Sequence, residues 1–293
     1  MRSDDSRHRP SRTRNLVSLV FSFFLALALT CMAAMLVLHV GLFSEWGIRS
    51  VFDDDYYRYV LTYVDDQAYH YTIPTGIDPE VVRDVFTIED LQYDVDQSVL
   101  ATLRGTEYEV DATQSAEMLT QRVNDFFTDN GVKLSAETDE IVSAYVAEIM
   151  DIYRDVIKVP GLDALSSART RYMKYTLVDS VASTLIAVVL VTTIIKLHHF
   201  VHRGLRYVAY GTGGAALMCF VAPFVVFQSG AYKGLNLTPQ YFYHLGISLV
   251  AHVLKLCMAC GLVYLAVTVL LVVCISALRG RTRHRHSGGR HSR

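Results

Sequence analysis

Four apolar blocks divide the chain. The first, Leu16 to Phe43, is apolar or small throughout, with no acidic or basic side chain except His39. It exceeds the roughly 20 residues that a helix needs to cross a bilayer. Residues 176–195 predict a second span, with Asp179 near one end. Residues 205–228 predict a third, softened by Gly211, Gly213, Gly214 and Pro223. The fourth block is the longest. Thr238 predicts an N-cap and Pro239 a first helical residue, and nothing stops the helix before Arg279 and Gly280 except two tolerable glycines, Gly246 and Gly261. A helix over 239–278 measures roughly 60 Å, about twice the ~30 Å hydrocarbon core. Its second half, Leu256–Leu278, carries no charge. Its first half carries His244, Ser248, His252 and Lys255, whose spacing sets them in one stripe along the helix. The last helix is therefore expected to lie half in the membrane and to project from it.

The polar segment 44–175 shows helical signals of its own. Asp53-Asp54-Asp55 precedes Tyr56, Tyr59 and Tyr63 at helical spacing, and Asp78-Pro79-Glu80 pairs an N-cap with a helix-starting proline. Thr87 to Asp90 resembles a capping box ahead of Leu91, Val95, Val99 and Leu103, with Gly105 as the stop. Glu107–Val110 predicts a short extended piece. A further helix is expected from Ala112 to Asn130 on Leu119, Val123, Phe126 and Phe127. The last begins near Ser135, with Ile141, Tyr145, Ile149, Ile152 and Val156 on one face, and Pro160-Gly161 ends it.

Charge orders these blocks. The chain is 52% hydrophobic with a mean hydropathy of +0.27, high for a soluble domain, and its net charge of −2 conceals a strong segregation. Residues 44–175 hold 26 acidic against 11 basic side chains, a net of −15. Basic residues gather instead in 1–15, with five arginines, in the short loop of Lys196, Arg203 and Arg206, and after Leu278, with six arginines. Four spans place all three basic groups on one side, which the positive-inside rule makes the cytoplasm. The expectation is an all-α integral membrane protein of the cell membrane, both termini cytoplasmic, with four transmembrane helices arranged one plus three. An all-helical acidic extracytoplasmic domain, 44–175, is inserted between the first span (16–43) and the second (176–195). Basic tails, 1–15 and 279–293, are expected to be disordered. The apolar run after the first tail is too long for a signal-peptide core, so an uncleaved span is expected. All five cysteines fall in the apolar blocks, so no disulfide framework is expected for the acidic domain.

The polar stripe is the main candidate for chemistry. Counting from Arg279, Lys255 stands roughly 35 Å above the inner boundary, near the outer interface, at a height comparable with Asp179. Ionisable residues in spans mark functional sites, so His244, His252, Lys255 and Asp179 are the catalytic candidates if the protein is an enzyme. The plainer reading lets Lys255 snorkel and the histidines face the acidic domain. His244 and His252 lie roughly 12 Å apart along the axis, too far to share one ion without His70 or His39, so neither metal nor cofactor is expected. Cys257 and Cys260 form a CxxC on one helix face, where packing by small residues explains them without redox chemistry. Asp94-Val95-Asp96-Gln97-Ser98 opens like a calcium loop but has Val99 for the required glycine and Gly105 for the required acid. Asn236-Leu237-Thr238 is a glycosylation sequon followed directly by Pro239. The 12 tyrosines of 44–175 supply core, interface belt or recognition surface. No phosphate-cradling glycine loop, HExxH or GxSxG is present, and the short terminal basic tails answer to topology rather than to nucleic acid.

The one-plus-three layout with an extracytoplasmic insert resembles that of the bacterial lipoprotein intramolecular transacylases. The resemblance is one of layout. Their His-containing motif ahead of the second span has its nearest counterpart in Phe86–Val95, where Gln92 occupies the place of the histidine and removes the catalytic case. The expected function is an interaction or sensing module whose outer domain engages a membrane or extracellular protein, beside the lipid bilayer itself. The alternative is a membrane-embedded enzyme acting on a lipid or lipid-linked substrate at the outer leaflet.

Overall fold

The computed structural model describes residues 9–132, 135–159, 161–198, 200–234 and 236–287. Those residues form α-helices α1 (Arg9–Val37), α2 (Glu45–Arg49), α3 (Asp54–Thr72), α4 (Ile88–Arg104), α5 (Thr113–Asp129), α6 (Ala136–Ile157), α7 (Leu162–Leu197), α8 (Val201–Ser229) and α9 (Gln240–Ser287), with no strand among them. Four helical stretches are long and apolar enough to cross a membrane: Thr13–Leu42, Val178–Leu197, Val201–Ser229 and Gln240–Leu278. Two compact units result. One holds residues 45–170 and 235–249; the other holds 1–44, 171–234 and 250–293.

In the first unit, polar side chains set the helix starts. Asp53 caps α3 by accepting from Tyr56 N at 2.9 Å, and Thr87 caps α4 by accepting from Asp90 N at 3.2 Å. Ser135 and Thr138 form a reciprocal capping box on α6. Gly105 ends α4 in the left-handed region at φ 73°, a conformation only glycine adopts without strain. The apolar stripes then converge. Tyr56, Val60 and Val64 of α3 meet Leu91, Val95 and Val99 of α4, Leu119 and Val123 of α5, and Ile149 and Ile157 of α6 in one core. On α6 the expected Tyr145, Ile149 and Val156 are buried, with Ile152 packed beside them. Val142, Val146 and Tyr153 point inward, whereas Ile141 is 56% exposed. Two successive four-residue steps, 141 to 145 to 149, drift off a 3.6-residue helix, so Ile141 is carried off the buried face and Val142 takes the inner position at the start. The 106–110 segment is irregular rather than extended into a strand. The buried polar centre of this unit is Asp94. Its carboxylate accepts from Tyr108 Oη at 2.7 Å and Tyr153 Oη at 2.8 Å, and burial, reinforced by these bonds, pushes both phenol pKa values up.

In the second unit, close backbone approach replaces a large side-chain core. A Cβ on Gly211 would fall 2.8 Å from Leu25 Cδ2 and 3.1 Å from Ser22 O, and one on Gly214 3.1 Å from Ala26 Cβ. These small residues let α8 lie directly on α1. On another side of α8, a Cβ on Gly261 of α9 would fall 2.8 Å from the Phe220 backbone nitrogen. Hydroxyls bridge the helices: Ser22 Oγ donates to Tyr207 O at 2.7 Å, Tyr264 Oη to Leu29 O at 2.8 Å, and Thr268 Oγ1 to Thr212 Oγ1 at 2.8 Å.

Three expected boundaries are corrected. The last helix starts at Gln240, not Pro239, and its cap is not Thr238: the Pro239 carbonyl accepts the first bonds, from Phe242 N at 3.1 Å and Tyr243 N at 3.3 Å. It continues past Gly280 to Ser287, since an isolated glycine costs only about 1 kcal/mol relative to alanine and no left-handed cap or proline follows. The first helix begins at Arg9, inside the expected disordered tail, because Pro10 is tolerated in a first turn. The rest of the two tails, 1–8 and 288–293, lies outside the described residues, as do Pro160 and His199.

Candidate functional site

The stripe on α9 divides between the two units. In the unit that holds 235–249, the helix opens with Tyr241, which is 6% exposed and sits in the core with its ring 5.2 Å from Tyr63 and 6.3 Å from Tyr56. One turn on, the His244 imidazole stacks on the Tyr59 ring at 3.9 Å and 15°. One turn further, Ser248 Oγ donates to Asp53 Oδ2 at 3.3 Å. The other oxygen of Asp53 is the cap of α3, so one carboxylate both starts α3 and ties α9 to it. Phe242 and Leu245 pack beside the same core. The polar face of this segment is thus occupied by side chains of α3.

In the unit that holds 250–293, His252 lies beside Gly41, where a Cβ would meet Leu256 Cδ1 at 2.7 Å and the His252 ring at 3.8 Å. Gly41 belongs to a π-helical turn, Leu38–Leu42, that closes α1. Lys255 is exposed on α9 and Asp179 is exposed on α7, and among the described residues no ion pair joins them. Cys257 and Cys260 are partly buried free thiols, as Cys31, Cys219 and Cys274 are free. His39 and His70 are exposed, and the described residues bring no three His, Cys, Asp or Glu side chains into a metal-holding group. Gln92 is a half-buried residue of α4.

The tertiary structure also assembles groups that periodicity does not single out. Asp65 on α3 keeps a buried Oδ1 with no partner among the described residues. Burial first, and then the charges of Asp84 and Asp66, raise its pKa to about 6 against the opposing pull of Arg83. A polar groove of about 580 Å³ opens along α5 and α6 beside Thr113, Glu117, Gln121, Asn124 and Arg154. Between α1 and α8, Ser18 and a buried His198 meet at 2.9 Å. Sequence signals for these were faint: single polar residues on otherwise apolar faces. Comparison with protein-family models, with curated proteins and with solved structures finds no match.

Proposed function

We propose that this chain is a multi-pass protein of the cell membrane whose acidic helical domain stands outside the cytoplasm and acts as an interaction or sensing module. The carrying observation is the use made of the first turns of α9, where the polar stripe begins. Tyr241, His244 and Ser248 are spent on packing, stacking and a hydrogen bond against α3, the work of a strut that holds a domain rather than of groups poised for catalysis. The charge segregation supports the orientation: a net of −15 over 44–175 against basic clusters at both termini and in the 196–206 loop. The acidic surface favours a partner with a basic face, and the groove on α5 and α6 offers donors and acceptors for it.

Complementation tests this reading against a membrane-embedded enzyme of the outer leaflet. His252→Ala, Lys255→Ala and Asp179→Ala are each expected to restore the phenotype of a null strain as the wild type does. Loss of complementation by variants that accumulate and fold normally would instead assign catalysis to those groups.

A further inference from the structure

The ends of α1, α7 and α8 build a second polar centre. His198, in the turn between α7 and α8, is 6% exposed. Its Nε2 lies 2.9 Å from Ser18 Oγ of α1, whose one hydrogen points either to Nε2 or to Arg14 O at 3.0 Å. Its ring stacks on Tyr207 of α8 at 5.1 Å and 5°. The remaining ring nitrogen, Nδ1, is buried with no partner among the described residues, and so is Arg14 Nε. Both are polar groups that a fold ordinarily satisfies. The charges of Arg14 and Arg203 reach the imidazole and, after burial, help to hold its pKa below the usual value. Lys196 and Arg206 stand exposed nearby in sequence, and α8 starts here without a side-chain cap, its positive dipole end adding to the field. Among the described residues of this unit no nearby carboxylate offsets this charge. The described carboxylate of this unit is Asp179, about 19 residues or roughly 28 Å back along α7.

The same three helices continue into an apolar cleft of about 240 Å³, lined by Leu25 and Leu29 of α1, Ala187, Val188 and Val191 of α7, and Thr212 of α8. From Ser18 to Leu25 and Leu29 the helix advances roughly 10–16 Å. Exposed Leu16, Leu19, Phe200 and Val201 surround the cationic end. A charged head with a long apolar tail matches this arrangement, whereas a free inorganic anion uses only its first part.

We propose that Arg14, His198 and Arg203 bind the phosphate of an anionic membrane lipid, with one acyl chain lying in the cleft between α1, α7 and α8. With Ser18 Oγ donating to Nε2, the ring proton sits on Nδ1, and the unpartnered Nδ1–H and Nε–H then find phosphate oxygens, the lipid supplying a counter-charge to these described basic residues.

Native mass spectrometry of the full-length protein in neutral detergent, with added phosphatidylglycerol or phosphatidylcholine, tests the assignment. The wild type is expected to retain phosphatidylglycerol in preference to phosphatidylcholine. Arg14→Gln and Arg203→Gln are each expected to lower phosphatidylglycerol retention roughly fivefold, the equivalent of about 1 kcal/mol per cation near a headgroup. His198→Phe keeps the ring stacking and is expected to erode the preference. Ala187→Phe fills the cleft without altering charge and is expected to reduce retention of both lipids. The thermal midpoint of each variant monitors folding, and Arg171→Gln with Lys233→Gln serves as a charge-matched control. Equal retention of the two lipids by the wild type, or an equal loss in the control, overturns the site. Displacement of phosphatidylglycerol by excess inorganic phosphate, with retention insensitive to Ala187→Phe, overturns the lipid assignment in favour of a free anion.

Discussion

Asp65 and Asp94 show how two acids in one domain meet opposite fates. Asp94 is buried but accepts two phenolic hydrogen bonds. Asp65 is half-buried, faces the charges of Asp84 and Asp66, and keeps an unpartnered oxygen. Its folded pKa of about 6 stands above the ordinary carboxylate value, so the native state holds its proton where the unfolded chain has lost it. The sign follows directly. Below the unfolded pKa both states are protonated and the residue costs nothing; the cost grows as pH rises and is complete above about 6. Asp65→Asn is therefore expected to raise the unfolding midpoint at pH 7 and to have no effect below about pH 4. Discounted for solvent screening, the gain is about 1 kcal/mol. Fluorescence of Trp46, the single tryptophan of the chain, provides the readout. Tyr153→Phe removes one of the two donors to Asp94 and is expected to cost about 1–3 kcal/mol, measured in the same way, because a buried acceptor is left short of a partner.

Among the elements, α9 and α8 do most to organise the molecule, by different means. The start of α9 is fixed by an aromatic residue in the core of the 45–170 and 235–249 unit. Tyr241→Ala is expected to destabilise that unit by about 3–5 kcal/mol, the range for truncating a buried aromatic. Limited proteolysis checks it, through faster cleavage within 45–170. The α8 interface works by absence of side chain. Gly211→Val forces a methyl-bearing carbon into Leu25 and the Ser22 carbonyl, which is expected to cost about 1–3 kcal/mol. A lower temperature of detergent-phase aggregation reports it, whereas Gly105→Ala, in open space, acts only through its left-handed backbone. Glycines that read in the sequence as softening a span are thus packing surfaces. Pattern alone could not tell the two apart, because the distinguishing fact is which neighbouring backbone comes close.

For the whole molecule, topology is the property that charge makes testable. In a background with its five cysteines replaced, Ser143→Cys on the exposed face of α6 is expected to react with a membrane-impermeant thiol reagent in intact cells, and Lys196→Cys only after lysis. The all-helical class and the four long apolar helices were legible in the sequence, because helix periodicity and span length are local properties of the chain. The helix ends near Asp53, Thr87, Ser135 and Gly105 were legible for the same reason: each signal acts within three or four residues. Partnership was decided only by the tertiary structure. His244 and Ser248 were visible as a stripe, but stacking on Tyr59 and bonding to Asp53 depend on residues nearly 200 positions away. The carboxylate held by Tyr108 and Tyr153, and the imidazole set between Ser18 and Tyr207, depend likewise on side chains brought together from separate helices. Hydrophobic periodicity says which face of a helix is buried, but only chain packing says which polar groups that burial places side by side.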